Sequence, residues 1–249
     1  MSYLDPPRPR ALAHRGGALL SRNLGIENTL EAFENAVALG FGYVETDVHC
    51  SRDGIVYAFH DADLTRLTGD PAPIEELDSD RVDDVLLDGR AAIPRLGDVL
   101  AALPTTRFNI DVKADGAVDR VVDVVRHAGA TDRVLLASFS RKRLMRLRRI
   151  APEIATSGTP DEVLRIMLGL PVKGPVAVQV PEKRGPVRIV TPAFLRRAHR
   201  LGVEVHVWTV DTAEDMDRLL DLGVDGLVTD RPDILREVLQ SRGQWHGIR

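Results

Sequence analysis

Residues 43–61 read YVETDVHCSRDGIVYAFHD. Two apolar runs, 43–48 and 55–59, are separated by Asp53-Gly54, with no helix between them. Asp-Gly between two such runs is a strong short-range hairpin signal. A fold at that dipeptide returns residues 59–61 to the side of residues 45–47. Residues 55–59 are then the return arm of an excursion, not a new member of the main sheet. The strand count of the whole chain turns on this reading.

Working outward, short apolar runs at 10–13, 43–48, 108–112, 134–137, 154–157, 176–180, 203–208 and 225–228 predict strands. Helical patterns follow at 28–39, 96–103, 117–127, 141–150, 160–168, 192–200, 213–222 and 232–242. Eight strands, each followed in time by a helix, imply an α/β fold of the TIM (β/α)8 barrel type. A ninth strand at 55–59 would instead imply an irregular α/β fold. Residues 62–92 carry many acidic groups and Pro71-Ala-Pro73, and read as a small lid-like insertion after the second strand. Residues 1–249 then form one domain, with that insertion inside it.

The bulk numbers agree. A chain of 249 residues at 44% apolar composition suits one barrel better than two small domains. A net charge of −4 with both signs interspersed shows no nucleic-acid footprint. The single Cys50 rules out an internal disulfide and points to a reducing, cytoplasmic compartment. The first ten residues, MSYLDPPRPR, lack the apolar core of a signal peptide, and no apolar run approaches the roughly 20 residues of a membrane span. The sequence does not speak to oligomeric state.

Side chains alternate across a strand. Glu45 and Asp47 therefore share one face of their strand, Asn109, Asp111 and Lys113 one face of theirs, and Glu204, His206 and Trp208 one face of another. The opposing aliphatic sets belong against the helices. The polar sets then point into the barrel and gather at the C-terminal ends of the strands, where barrel enzymes keep their active sites. Glu45 and Asp47 lie roughly 6.5–7 Å apart along the strand, close enough to share a cation. Left alone, the two carboxylates would repel, and one would hold a proton. A divalent metal resolves that conflict, and Mg2+ and Ca2+ favour such oxygen ligands, with Asp111 as the third. The competing reading is an ion-pair cluster with Arg15 or Lys113.

His14 ends the first strand and His60 ends the hairpin arm, so both reach the rim. Histidine takes or gives a proton near neutral pH, and splitting a phosphodiester needs both steps. Arg15 and Lys113 are the expected phosphate clamps, Trp208 an expected cleft wall, and Asp61 a possible orienting partner of His60. His206 reads as structural, His49 as rim or solvent, and Cys50 as inert.

The ordered set His14-Arg15-Gly16, Glu27-Asn28-Thr29, Glu45-Thr46-Asp47, Ser51-Arg52-Asp53-Gly54, His60-Asp61, Asn109-Ile110-Asp111-Val112-Lys113, Trp208-Thr209-Val210-Asp211 and Gly223-Val224-Asp225-Gly226 resembles the glycerophosphodiester phosphodiesterases over nearly the whole chain. The resemblance implies a TIM barrel that hydrolyses a small-molecule glycerophosphodiester to glycerol 3-phosphate and an alcohol. It implies Mg2+ or Ca2+ on Glu45, Asp47 and Asp111, acid–base work by His14 and His60, and phosphate held by Arg15 and Lys113. The family often has glutamate where this chain has Asp111, whose shorter arm bears on metal choice.

Two other functions remain open. A phospholipase D-like hydrolase or cyclising lyase acting on lysophospholipids would want an exposed apolar ridge at the barrel mouth; the charged residues 62–90 offer none. A non-catalytic barrel that binds a phosphorylated ligand would lack a histidine or carboxylate of the set.

Overall fold

The computed structural model describes residues 2–248, so residues 1 and 249 of the expected domain lie outside the described residues. The barrel strands are β1 (Arg10–His14), β2 (Tyr43–Cys50), β4 (Arg107–Val112), β5 (Val134–Ala137), β6 (Ala155–Thr156), β7 (Ala177–Pro181), β8 (Glu204–Trp208) and β9 (Gly226–Thr229), with β3 (Val56–Ala58) standing outside the count. Their order is β6-β5-β4-β2-β1-β9-β8-β7, all pairs parallel. A parallel bridge from Ser157 to Ala177 joins the two ends of that order and closes the barrel.

The hairpin forms where Asp53-Gly54 predicts it. β3 pairs antiparallel with the outer end of β2, Val48 opposite Ala58. Gly54 sits at φ +93°, which a glycine adopts freely, and its N–H closes the turn on the Ser51 carbonyl.

Helices follow the strands as α1 (Leu30–Ala38), α2 (Leu96–Ala102), α3 (Ala117–His127), α4 (Arg141–Ile150), α5 (Pro160–Met167), α6 (Pro192–Arg200), α7 (Ala213–Leu222) and α8 (Pro232–Ser241). Several start on a hydroxyl cap: Thr29, Ser140, Thr159, Thr191 and Thr212 each accept a hydrogen bond from the backbone of the first turn. The main core lies between helices and barrel, where Phe33 of α1 meets Phe108 of β4 edge to face at 6.0 Å. The barrel interior is layered. Leu12, Tyr43, Leu135, Ala177 and Val228 pack one apolar layer. Towards the C-terminal ends of β1, β2 and β4 stand His14, Glu45, Asp47, Asn109 and Asp111.

Residues 62–92 pack a second small core of Leu64, Ile74, Val82, Leu87 and Ala91 with Ile26, Tyr57, Phe59 and Ile93. Full burial of each large aliphatic side chain contributes about 1.5–3 kcal/mol, enough to hold a short segment in place. The Tyr57 hydroxyl ties the hairpin to it by donating to Asp83 at 2.7 Å.

Candidate active site

Register brings the polar residues together. β1 lies beside β2 with His14 opposite Glu45, and β2 lies beside β4 with Glu45 opposite Asn109 and Asp47 opposite Asp111. The hairpin adds the last piece: the Phe59 N–H donates to the Asp47 carbonyl at 2.9 Å, which holds His60 beside the acidic strand. The loop after β1 turns sharply to leave room for α1. Gly16 is at φ +83°, and a Cβ there would stand 2.8 Å from the Ala32 backbone. Arg15 itself is held at φ +50°, a conformation that costs a non-glycine residue on the order of 1–3 kcal/mol and that clusters at functional sites.

A cavity of about 760 Å3 opens here, and His14, Arg15, Glu45, Asp47, His60, Asp111, Lys113 and Trp208 all line it. Every site residue expected from the sequence is therefore gathered in one place. Each imidazole has a carboxylate on Nδ1. His14 Nδ1 lies 2.7 Å from Asp230 Oδ1, and His60 Nδ1 lies 2.6 Å from Asp61 Oδ1. That arrangement fixes the ring and favours the tautomer with Nε2 free. His14 Nε2 lies 3.7 Å from Glu45 Oε2. Burial draws the His14 pKa down, but Glu45 and Asp230 outweigh it, and the net shift is upward.

The acidic side chains are not open to one another in the way the sequence implied. Lys113 Nζ bridges Asp47 Oδ1 at 2.8 Å and Asp111 Oδ2 at 2.7 Å, and Arg15 Nε lies 3.2 Å from Asp47 Oδ2. Among the described residues no group of three or more His, Cys, Asp or Glu side chains is gathered as a ready metal cage. The physical reason is counter-charge: buried carboxylates draw in the nearest lysine and arginine. The donor chemistry still fits a hard cation. Asp111 Oδ1 and Asn109 Oδ1 are buried without a hydrogen-bond partner. Glu45 is pushed up to about 7, by burial and by the neighbouring Asp47. Asp47 stays low despite its burial, because Lys113 and Arg15 flank it.

Other residues stand differently from expectation. His49, read as rim or solvent, is buried, and its Nε2 lies 3.2 Å from the His60 carbonyl; burial lowers its pKa. His206 is fully buried, faces Glu204 at 3.0 Å and does not line the cavity. The barrel mouth does carry an apolar side, contrary to the sequence reading. None of residues 62–92 lines the cavity; Phe139, Val163, Leu164, Met167, Val187 and Ile189 do, with Phe139 60%, Leu164 53% and Val187 50% exposed. Val163, Leu164 and Met167 come from α5, Phe139 from the loop after β5, and Val187 and Ile189 from the segment after β7. Trp208 meets Phe139 edge to face at 5.9 Å on this side. Asp230 had no role assigned from sequence. Its signal was barrel closure, which sets the end of β9 beside the end of β1, Ala13 opposite Thr229.

The model of the glycerophosphoryl diester phosphodiesterase family matches residues 14–234. A probable glycerophosphodiester phosphodiesterase 2 of Mycobacterium tuberculosis (strain ATCC 25618 / H37Rv) is 40% identical over 248 residues, spanning 95% of this chain and 93% of the relative. A lysophospholipase D GDPD1 of Rattus norvegicus is 28% identical, spanning 93% and 86%. The crystal structure of a glycerophosphodiester phosphodiesterase from Agrobacterium tumefaciens str. C58 matches with a TM-score of 0.79 at 27% identity, covering 93% of this chain and 99% of that one.

Proposed function

Since the chain belongs to the glycerophosphoryl diester phosphodiesterase family, we propose that it hydrolyses glycerophosphodiesters to glycerol 3-phosphate and an alcohol by acid–base catalysis shared between His14 and His60. The observation that carries this is the matched pair of imidazoles, each with its Nδ1 on a carboxylate, lining the same cavity as Arg15 and Lys113. One imidazole takes the proton of the nucleophile, water or the glycerol 2-hydroxyl; attack by the hydroxyl expels the alcohol and leaves a cyclic phosphate, which water then opens to glycerol 3-phosphate. The other gives a proton to the departing alkoxide oxygen, so that charge does not build up on either oxygen. Arg15 and Lys113 supply the positive charge that holds the phosphate oxygens. One divalent cation, Mg2+ or Ca2+, held by Glu45, Asp47 and Asp111, would polarise the phosphoryl group and offset developing negative charge. No helix among the described residues is long and apolar enough to cross a membrane; a cytoplasmic setting is proposed on the single buried cysteine.

The apolar side of the cavity favours a second reading, cleavage of lysophospholipids. A single acyl chain would lie along Leu164, Met167 and Val187 while its phosphate meets Arg15 and Lys113. The test is release of product from glycerophosphocholine, glycerophosphoethanolamine and lysophosphatidylcholine, with Mg2+, with Ca2+ and with a chelator. Metal-dependent turnover of the first two supports the main reading. Turnover of the third alone supports the second. No turnover of any diester under any condition would defeat both.

A further inference from the structure

An unbroken line of charged side chains runs from the acidic strand to the second imidazole. Asp47 Oδ2 faces Arg15 Nε at 3.2 Å, and Arg15 Nη1 donates to Glu27 Oε1 at 2.8 Å. Glu27 accepts from both Nη atoms of Arg66 at 2.7 and 3.1 Å. Arg66 Nε donates to Asp61 Oδ2 at 2.6 Å, and Asp61 Oδ1 holds His60 Nδ1 at 2.6 Å. The line joins separate parts of the fold. Arg15 and Glu27 lie in the loop between β1 and α1, Asp47 lies in β2, and Arg66 lies in the short helix Thr65–Thr68 of the insertion.

We infer that Arg66 and Glu27 are positioning residues that brace the His60–Asp61 pair against the Arg15–Asp47 pair. By this brace the insertion, whose side chains stay out of the cavity wall, sets the aim of an acid–base group. The inference rests on the reading of His60 given above. The chemistry is that of a fork. A guanidinium presents several donors in one plane, so Arg66 holds both oxygens of Glu27 and one of Asp61 at the same time. With Oδ2 fixed by Arg66, Asp61 keeps Oδ1 directed at the ring. The Arg66 side chain is 46% exposed, and exposed ion pairs add little to stability. The brace therefore shows in turnover rather than in melting temperature.

The experiment compares Arg66→Met, Asp61→Asn and the double variant in the full chain. Arg66→Met lowers kcat by about 10- to 100-fold while KM stays within about twofold, the signature of a misaimed group. The double variant falls no more than about twofold below the worse single variant, because both cut the same line. Arg66→Lys, which reaches one partner at a time, recovers part of kcat. A second readout needs no turnover: the low-field His60 Nδ1–H proton resonance shifts in Arg66→Met. Normal kcat in Arg66→Met, losses that multiply in the double variant, or an unmoved resonance would overturn the brace. A shifted resonance in a protein whose unmutated form turns over no diester would sink the acid–base reading of His60 and leave the brace standing.

Discussion

His14 Nδ1 and Asp230 Oδ1 are 2.7 Å apart, although 216 residues separate them in the chain. The contact exists because the last barrel strand closes against the first. Asp230 in turn is steadied by its own N–H, which donates to Asp211 Oδ1 at 2.8 Å. Replacing Asp230 with Asn leaves a side chain of the same shape that no longer favours a proton on His14 Nδ1 or stabilises an imidazolium. Turnover should fall by on the order of 10²-fold or more, with the fold intact by circular dichroism. Unchanged kcat in Asp230→Asn would remove this pair from the mechanism.

Glu45 carries a definite pH prediction. Its folded-state pKa, pushed up to about 7 by burial and Asp47, lies above the ordinary carboxylate value of 4.5. The folded protein therefore binds this proton more tightly than the unfolded chain does. The resulting stabilisation is full below the unfolded pKa and is lost as pH rises through about 7. Measured with a chelator present, Tm should fall as pH is raised across that window, and Glu45→Gln should flatten the fall. Affinity for the proposed cation should have the opposite trend, rising by up to about tenfold per pH unit below 7, because Glu45 would have to lose its proton to bind it. Calorimetric titration at several pH values checks this; an affinity independent of pH would refute it.

Leu164 tests the apolar side of the mouth. It lines the cavity yet is 53% exposed, so Leu164→Asp puts a charge on that side with little cost to the core. If acyl chains bind there, KM for lysophosphatidylcholine should rise by about tenfold or more, while KM for glycerophosphocholine moves by less than about threefold. Equal effects on both substrates would show that this side does not choose between them.

Gly16 tests the turn that shapes the loop behind His14 and Arg15. Alanine there meets both a φ of +83° and the Ala32 backbone at 2.8 Å. Gly16→Ala should cost on the order of 1–3 kcal/mol in urea unfolding and also reduce activity in the remaining folded protein. A variant as stable and as active as the parent would contradict the packing described for this loop.

Much of this was legible in the chain itself. The eight strand runs and the hairpin at Asp53-Gly54 appear where alternation and turn chemistry place them, and α3, α4, α6 and α7 match the predicted ranges end to end. Strands shift by a residue or so at their ends, as at 154–157, where only Ala155–Thr156 pair as strand, because pairing depends on neighbours that local sequence does not show. Period-two alternation sufficed for Glu45, Asp47 and Asp111, since facing is a local property. The residues missed are those whose role depends on closure or on loop packing. Asp230 needed β9 beside β1, and Arg66 needed the insertion folded back to Glu27. The buried place of His49 needed the hairpin closed over it. The apolar side is not legible locally, because the charged residues 62–90 do not reach the mouth and its wall comes from α5 and from segments after β5 and β7. The short ribbon of Lys183–Arg184 with Val187–Arg188, whose pattern is too brief to read, helps form the wall instead.

In the proposed mechanism two imidazoles share the proton transfers on one bound diester. The measurement closest to it is the initial rate of glycerol 3-phosphate release from glycerophosphocholine by the parent enzyme, His14→Ala and His60→Ala, each confirmed folded. Each variant should lose at least the roughly 10²–10⁴-fold expected of an acid–base group. Near-parental rates in either variant would contradict it.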